Sequence, residues 1–206
     1  MVSAEQIIEA QDGETRALHG SNSDAVPEGR ADWLDAVRRQ HRANSELWHI
    51  EDEARAPGAS DADLAGIKRR VDVINQLRND LAEQLDRVLL GWLEPKGLPN
   101  PTAELNSESP GLMIDRLSIL ALKIYHTREE AERAGAPAGH AERNMERLAI
   151  LEEQRRDLAG CLDALWRETL DGTRRFKLYR QLKMYNDPEL NPAIYSASSQ
   201  GKMPRG

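Results

Sequence analysis

Residues 111–126 read GLMIDRLSILALKIYH, and this stretch decides the fold class. On a helix of about 3.6 residues per turn, its apolar side chains fall on nearly every side. A helix of this composition is typical of a segment that other helices surround. Ser109-Pro110 precedes it, and a serine cap followed by proline at the first helical position is a strong start signal. We therefore predict a central helix over residues 110–133.

Three further long helices are predicted to pack around this central helix. They cover residues 31–55, 60–92 and 140–170, and proline or glycine marks the breaks between them. A shorter fifth helix is expected to reach residue 185. Because Val, Ile and Thr do not alternate along the chain, no sheet is expected. The prediction is an all-α fold, an antiparallel bundle of four long helices with a shorter C-terminal helix and an extended tail.

The length of the chain suits one domain with flanking segments. Residues 1–30 are acidic, polar and punctuated by glycine, so they are expected to form an N-terminal arm that can move. Within this arm, Ile7 and Ile8 are the candidates for a short docking helix. The helical bundle is expected to occupy residues 31–185, and an irregular tail to occupy residues 186–206.

Composition and motifs exclude several classes of function. A net charge of −7 argues against general nucleic-acid binding, because a polyanion requires a basic face. The single cysteine, Cys161, rules out an internal disulfide and a cysteine-rich zinc site. With no leader-like start and no run of about 18 apolar residues, a cytoplasmic protein without a membrane span is expected. Sequence patterns typical of kinases, dehydrogenases and serine hydrolases are also absent.

Charged and amide side chains interrupt helix faces that the projection predicts to be buried. Burying an unpaired charge is costly, so these groups have to pair with one another or with a ligand. Guanidinium and ammonium groups would suit a carboxylate or phosphate, and imidazole is the natural proton-transfer group near neutral pH. The predicted ligand-binding residues are Asn44, Arg55, Asn75, Arg78, Lys123 and Arg155. The candidates for proton transfer are His126, Glu51 and Asp115.

Two other interpretations of these residues stay open. They could form purely structural pairs, such as Glu51 with Arg78 and Asp115 with Arg155. Glu46 and His49 also have the Glu-x-x-His spacing of di-iron carboxylate bundles, although no second motif of that order is present. We therefore assign no metal ligands, and the residues do not identify a cofactor.

Three stretches of the chain resemble a bacterial family known only as a domain of unknown function, numbered 4254. They are NSELWHIEDEAR at residues 44–55, NSESPGLMIDRLSILALKIYH at residues 106–126 and KMYNDP at residues 183–188. Residues 69–80 fit the same pattern, and the resemblance covers about residues 44–195. All the predicted site residues except Arg155 lie within these stretches.

The resemblance implies a helical bacterial protein of a kind often encoded beside glycosyltransferases or other biosynthetic genes, and it carries over no catalytic residues. We expect a small cytoplasmic enzyme that binds a small anionic or sugar-like metabolite inside the bundle and uses acid–base chemistry. The first alternative is a non-catalytic helical accessory, as a homodimer or with a glycosyltransferase or other biosynthetic partner. The second alternative is a metal-dependent, di-iron-like oxygenase.

Overall fold

The structure is a computed structural model, and it describes residues 3–20, 33–182 and 189–192. Within these ranges the chain is all-α, with five helices and very little strand. In chain order the helices are α1 (Ala4–His19), α2 (Trp33–Ala54), α3 (Asp61–Leu93), α4 (Pro110–Glu132) and α5 (His140–Leu170). None of them is long and apolar enough to cross a membrane.

Local sequence explains where the long helices begin. At the start of α3, the Ser60 side chain accepts a hydrogen bond from the Asp63 amide, and the Asp63 carboxylate accepts one from the Ser60 amide. This reciprocal capping box satisfies two backbone donors that the helix itself leaves free. Pro110 lies in the first turn of α4, where its missing N–H is not needed. The predicted starts of α3 and α4 are therefore confirmed.

Helix α4 is the centre of the fold, as its all-round apolar sequence predicts. It contacts α1, α2, α3 and α5, and no other helix has as many helical neighbours. The main core gathers fully buried side chains from all five helices around it, including Ile7, Val37, Leu85, Ile114, Leu117 and Leu162. A smaller apolar cluster forms where α3 and α5 end, from Leu89, Leu93, Trp166 and Phe176. Burial of these side chains is the main source of stability for such a fold.

The N-terminal segment differs from the predicted arm. Residues 4–19 form one continuous helix, α1, which packs against α2, α4 and α5 and places Ile7 in the main core. The docking helix expected at Ile7 and Ile8 is thus present but much longer. The buried stripe of α1 continues with Gln11 and Thr15, and its polar residues made the segment look solvent-exposed in the sequence. Residues 21–32 lie outside the described part of the chain.

The predicted fifth helix after residue 170 is wrong for the residues that the structure describes. Helix α5 ends at Leu170, Gly172 takes a positive φ of 72°, and the chain runs on without helix as far as residue 182. Phe176 is buried in the smaller apolar cluster, which holds this segment against α3 and α5. Residues 183–185 of the predicted helix, and most of the tail, lie outside the described ranges.

A very small sheet forms where none was expected. Strand β1 (Glu104–Leu105) pairs in parallel with strand β2 (Arg174–Arg175). The pairing is extended by a hydrogen bond from the Asn106 amide to the Arg175 carbonyl, 2.8 Å long. Two-residue strands are too short to show alternation, so the sequence contains no signal for them. This contact ties the connection between α3 and α4 to the segment that follows α5.

Candidate functional site

Asp115 on α4 lies at the centre of a buried group of hydrogen bonds. Arg78 on α3 donates to both of its oxygens, from Nε at 2.8 Å and from Nη2 at 2.5 Å. Two amides of α2 add donors to Oδ1, Gln40 Nε2 at 2.5 Å and Asn44 Nδ2 at 3.0 Å. Oδ1 thus accepts three hydrogen bonds and Oδ2 one, so four donors hold this carboxylate in place. Asp115 therefore joins three helices, and it pairs with Arg78 rather than with Arg155.

The same amide of Asn44 begins a second chain of hydrogen bonds through the core. It donates to Ser118 Oγ at 2.9 Å, and Ser118 Oγ lies 2.8 Å from His41 Nδ1. His41 Nε2 lies 2.8 Å from Thr15 Oγ1, which donates to the Gln11 carbonyl at 2.9 Å. All four side chains of this chain are buried, so it links α4 to α2 and α1 away from solvent.

The direction of this second chain follows from its two ends. Thr15 gives its proton to a backbone carbonyl, which can only accept, so His41 Nε2 must carry a proton and donate to Thr15. His41 Nδ1 is then the acceptor for the Ser118 hydroxyl. There is no place for a second proton on the ring. Burial lowers the pKa of His41 to about 4, with a smaller contribution from nearby His19, and His41 is neutral at pH 7.

We did not predict from the sequence that Gln40, His41 and Ser118 belong to this network. A signal was available, because Val37, His41 and Asn44 follow one another at helical spacing on the buried stripe of α2. Polar residues in continuation of an apolar stripe are the pattern to look for. Ser118 gave no signal of its own, since it is a small residue in an apolar helix.

A cleft between α2 and α4 brings four of the predicted residues together. We call it the α2–α4 cleft; it has a volume of about 360 Å³, and Arg78 of α3 completes it. Its predicted members are Asn44, Glu51, Arg55 and Arg78. Both cations are already paired, Arg78 with Asp115 and the exposed Arg55 with Glu51 at 3.4 Å and Asp52 at 3.5 Å. The cleft therefore offers no uncompensated positive charge to an anion.

A second cleft lies between α4 and α5, and we call it the α4–α5 cleft. Its volume is about 430 Å³, and it contains the predicted residues Lys123 and His126. Lys123 and Arg147 point to it, and neither has an ion-pair partner among the described residues. The carboxylate in its wall, Glu130, is shared with Arg133 and His140. Amide and hydroxyl groups complete the polar lining, from Thr127, Asn144 and Gln154.

Trp48 of α2 separates the two clefts and lines both of them. Its ring stacks on His126, with ring centres 4.8 Å apart and planes inclined by 16°. Glu129 accepts a hydrogen bond from His126 Nδ1 at 2.9 Å. The proton of the neutral ring is therefore on Nδ1, and Nε2 keeps the lone pair. His126 Nε2 is buried and has no hydrogen-bond partner in the described part of the chain.

The remaining predicted residues lie apart from both clefts or beside them. Arg155 of α5 forms an ion pair with Asp12 of α1, in which Nη1 donates to both carboxylate oxygens, at 2.9 and 3.0 Å. Asn75 accepts a hydrogen bond from Arg78 Nη1 at 3.4 Å. Asp115 and His126 share a helix but are about 16 Å apart along its axis, so they do not act on one ligand together. The predicted set therefore divides into a buried network and two clefts.

Comparison with known proteins identifies the family. A family model described as "Protein of unknown function (DUF4254)" matches residues 34–178, which is most of the chain. The match includes α2 to α5, while α1 lies outside it. No curated protein and no solved structure matches the chain.

Proposed function

Since the chain belongs to the family of unknown function DUF4254, which carries no assigned activity, we propose its function from the α4–α5 cleft. The proposal is that this cleft binds a small anionic metabolite with a ring or sugar-like part. One observation carries it: the two cations of the cleft, Lys123 and Arg147, have no carboxylate partner among the described residues. An anion would supply the counter-charge.

The rest of the lining suits such a ligand. Trp48 presents an apolar ring, which is a favourable surface for a ring-bearing or sugar-like group. Asn144 is buried, and its Oδ1 lies 3.4 Å from Arg147 Nη1, which helps to hold the guanidinium in place. The α2–α4 cleft fits an anion less well, because Asp115, Glu51 and Asp52 neutralise its arginines.

We further propose that the protein is an enzyme of bacterial biosynthesis in the cytoplasm. His126 is the predicted proton-transfer residue that borders the α4–α5 cleft, and Glu129 orients its ring. Asp115 is a poorer candidate, since its oxygens are occupied by four donors. The four long helices form an antiparallel bundle in this proposal, because α2 packs on α3, and α4 on α5, across short connections.

A binding experiment tests the proposal. Thermal unfolding is followed with inorganic phosphate, glucose 6-phosphate, UDP-glucose and citrate as probes, and a hundredfold excess over Kd should stabilise the fold by about 2.7 kcal/mol. Arg147→Met and Lys123→Met should each weaken binding of the active probe at least tenfold. Arg156→Met is the matched control, since Arg156 is exposed on the opposite side of α5 and should leave binding unchanged.

The second candidate function is a non-catalytic accessory that docks to a partner protein or a second copy. It is favoured by exposed apolar residues along one side of α3, namely Val73, Leu77, Val88 and Trp92. The two candidates differ in outcome. Loss of self-association or partner binding in Val73→Glu, without any response to the anionic probes, would support the accessory.

A further inference from the structure

Three histidines from three helices meet beside the α4–α5 cleft. They are His19 at the end of α1, His49 on α2 and His126 on α4. The ring centres of His19 and His126 are 5.1 Å apart, those of His19 and His49 5.2 Å, and those of His49 and His126 6.2 Å. The sequence separates these residues widely, so only the packing of α1 against α2 and α4 assembles the cluster.

Two of the three rings have a defined proton position. His19 Nδ1 lies 2.9 Å from the Thr15 carbonyl, which can only accept, so Nδ1 carries the proton. His126 Nδ1 lies 2.9 Å from a Glu129 carboxylate oxygen and carries its proton for the same reason. Both rings therefore keep the lone pair on Nε2. Both Nε2 atoms are buried, and neither has a hydrogen-bond partner among the residues that the structure describes.

An unpartnered buried nitrogen is unfavourable, and two of them in adjacent rings require an explanation. Histidines that bind a metal through Nε2 almost always donate Nδ1–H to a carboxylate or a backbone carbonyl, which fixes the ring and the tautomer. His126 and His19 have these two kinds of partner, one each. The Nδ1 hydrogen bond of each ring is thus the one that a histidine bound to a metal through Nε2 would make.

The spacing of the rings agrees with the same explanation. Two imidazoles on one tetrahedral zinc ion, with Zn–N bonds of about 2.0–2.1 Å, place their ring centres about 5 Å apart. The His19–His126 and His19–His49 separations, 5.1 and 5.2 Å, have this size. The present side-chain conformations do not yet form a complete site, because no set of three or more His, Cys, Asp or Glu residues in the described ranges is arranged to hold a metal ion.

We propose that His19 and His126 bind a divalent transition-metal cation of the zinc type through their Nε2 atoms, with His49 as the third ligand. The first two rings are held by their Nδ1 hydrogen bonds. His49 is exposed and has no hydrogen-bond partner among the described residues, so its ring can rotate toward the metal. The inference goes beyond the proposed function, because it can be measured without any anionic ligand. A nitrogen that holds a metal cannot also take up a proton, so the proton-transfer role proposed for His126 belongs to the metal-free protein, while anion binding by Lys123 and Arg147 does not depend on the metal.

Zinc titration by calorimetry tests the proposal on the full chain with any affinity tag removed. One Zn²⁺ should bind per chain, and His19→Gln and His126→Gln should each weaken binding at least tenfold. His49→Gln should weaken it less, since His49 supplies only the third ligand. His140→Gln is the matched control: His140 is also half-buried and bonded to a glutamate, Glu130, but it is not part of the cluster, and Zn²⁺ affinity should not change. Absence of saturable Zn²⁺ binding overturns the proposal. So does a Zn²⁺ affinity of His19→Gln and His126→Gln equal to that of the unaltered protein.

Imidazole nitrogen NMR on the unaltered protein gives a second measurement that does not depend on whether the variants fold. Adding Zn²⁺ should shift the Nε2 signals of His19 and His126 while their Nδ1 atoms stay protonated. Unchanged Nε2 signals would mean that the two lone pairs accept from water, and the metal site would be refuted. The anion-binding experiment uses Lys123 and Arg147, so failure of one proposal leaves the other measurable.

Discussion

Arg78 on α3 and Asp115 on α4 form a two-pronged ion pair, with Nε 2.8 Å from Oδ1 and Nη2 2.5 Å from Oδ2. The arginine side chain is 23% exposed and the aspartate side chain 10%, so the pair lies at the boundary between core and cleft. Hydrogen bonding to Asp115 is the main cause that raises the pKa of Arg78 above its ordinary value. This pair links α3 to the central helix, and its arginine lines the α2–α4 cleft.

Removing the arginine of this pair should destabilise the fold strongly. Arg78→Met leaves the buried Asp115 carboxylate without its cation, and losing one partner of a buried ion pair costs about 3 kcal/mol or more. Arg55→Met is the matched control, because Arg55 borders the same cleft but its pairs are exposed, and it should cost under about 0.5 kcal/mol. Denaturant unfolding measures both. Equal costs for the two variants would show that the ion pair does not hold α3 to α4.

His41 should make the fold less stable in mild acid. Its pKa is about 4 in the folded protein, below the 6.5 of an unperturbed histidine, so the unfolded chain binds more protons between these values. The contribution of His41 to the free energy of unfolding is present above about pH 6.5 and is lost as the pH falls toward 4. The total loss is roughly 3 kcal/mol. The destabilisation caused by His41→Gln should accordingly be smaller at pH 4.5 than at pH 7.5. A pH-independent difference would contradict the neutral, buried state of this ring.

Asp86 should have the opposite effect in the same range of pH. Burial raises the pKa of this carboxyl to about 6, against the opposing effect of the hydrogen bond that it accepts from the Gly111 amide at 2.7 Å. The folded protein therefore binds the extra proton, and the stabilisation is present at low pH and lost as pH rises from about 4 to about 6. The free energy of unfolding of Asp86→Asn, measured relative to that of the unaltered protein, should therefore rise by about 3 kcal/mol between about pH 4 and pH 6. Denaturant unfolding of both proteins across this pH range measures the difference. A fall in the relative stability of Asp86→Asn as the pH rises would refute the raised pKa of Asp86.

Gly111 should not tolerate a side chain. A Cβ at this position would lie 2.2 Å from the Ala82 carbonyl oxygen and 2.9 Å from the Asp86 carboxyl, because α4 begins in close contact with α3. Gly111→Ala is expected to cost about 2–3 kcal/mol through overpacking. Gly160→Ala in α5 is the control, since nothing lies within 4 Å of its Cβ position, and it should stabilise the helix by about 0.5–1 kcal/mol. Thermal unfolding of the two variants should therefore shift in opposite directions.

The sequence allowed a good account of the long helices. Ser60 and Ser109-Pro110 mark two of their starts, and the apolar stretch of α4 predicts its central place. The projection also put Asn44 and Arg78 on inward faces, and both line the α2–α4 cleft. The predictions for the N-terminal arm and for the fifth helix failed, because the residues that anchor these segments are polar or isolated. Thr15 in α1 and Phe176 after α5 are examples, because neither belongs to a long apolar pattern.

What the sequence by itself determined is the helical character of the chain and the direction in which each side chain leaves its own helix. That information is local, because it depends only on the helical repeat and on capping residues. The partners were decided only by the tertiary structure. Asp115 meets Arg78 rather than Arg155, and His19 meets His126, because of how α1, α3 and α5 are placed around α4. A helical projection contains no information about the neighbouring helix, so the pairing of the buried charges and the histidine cluster could not be predicted from it.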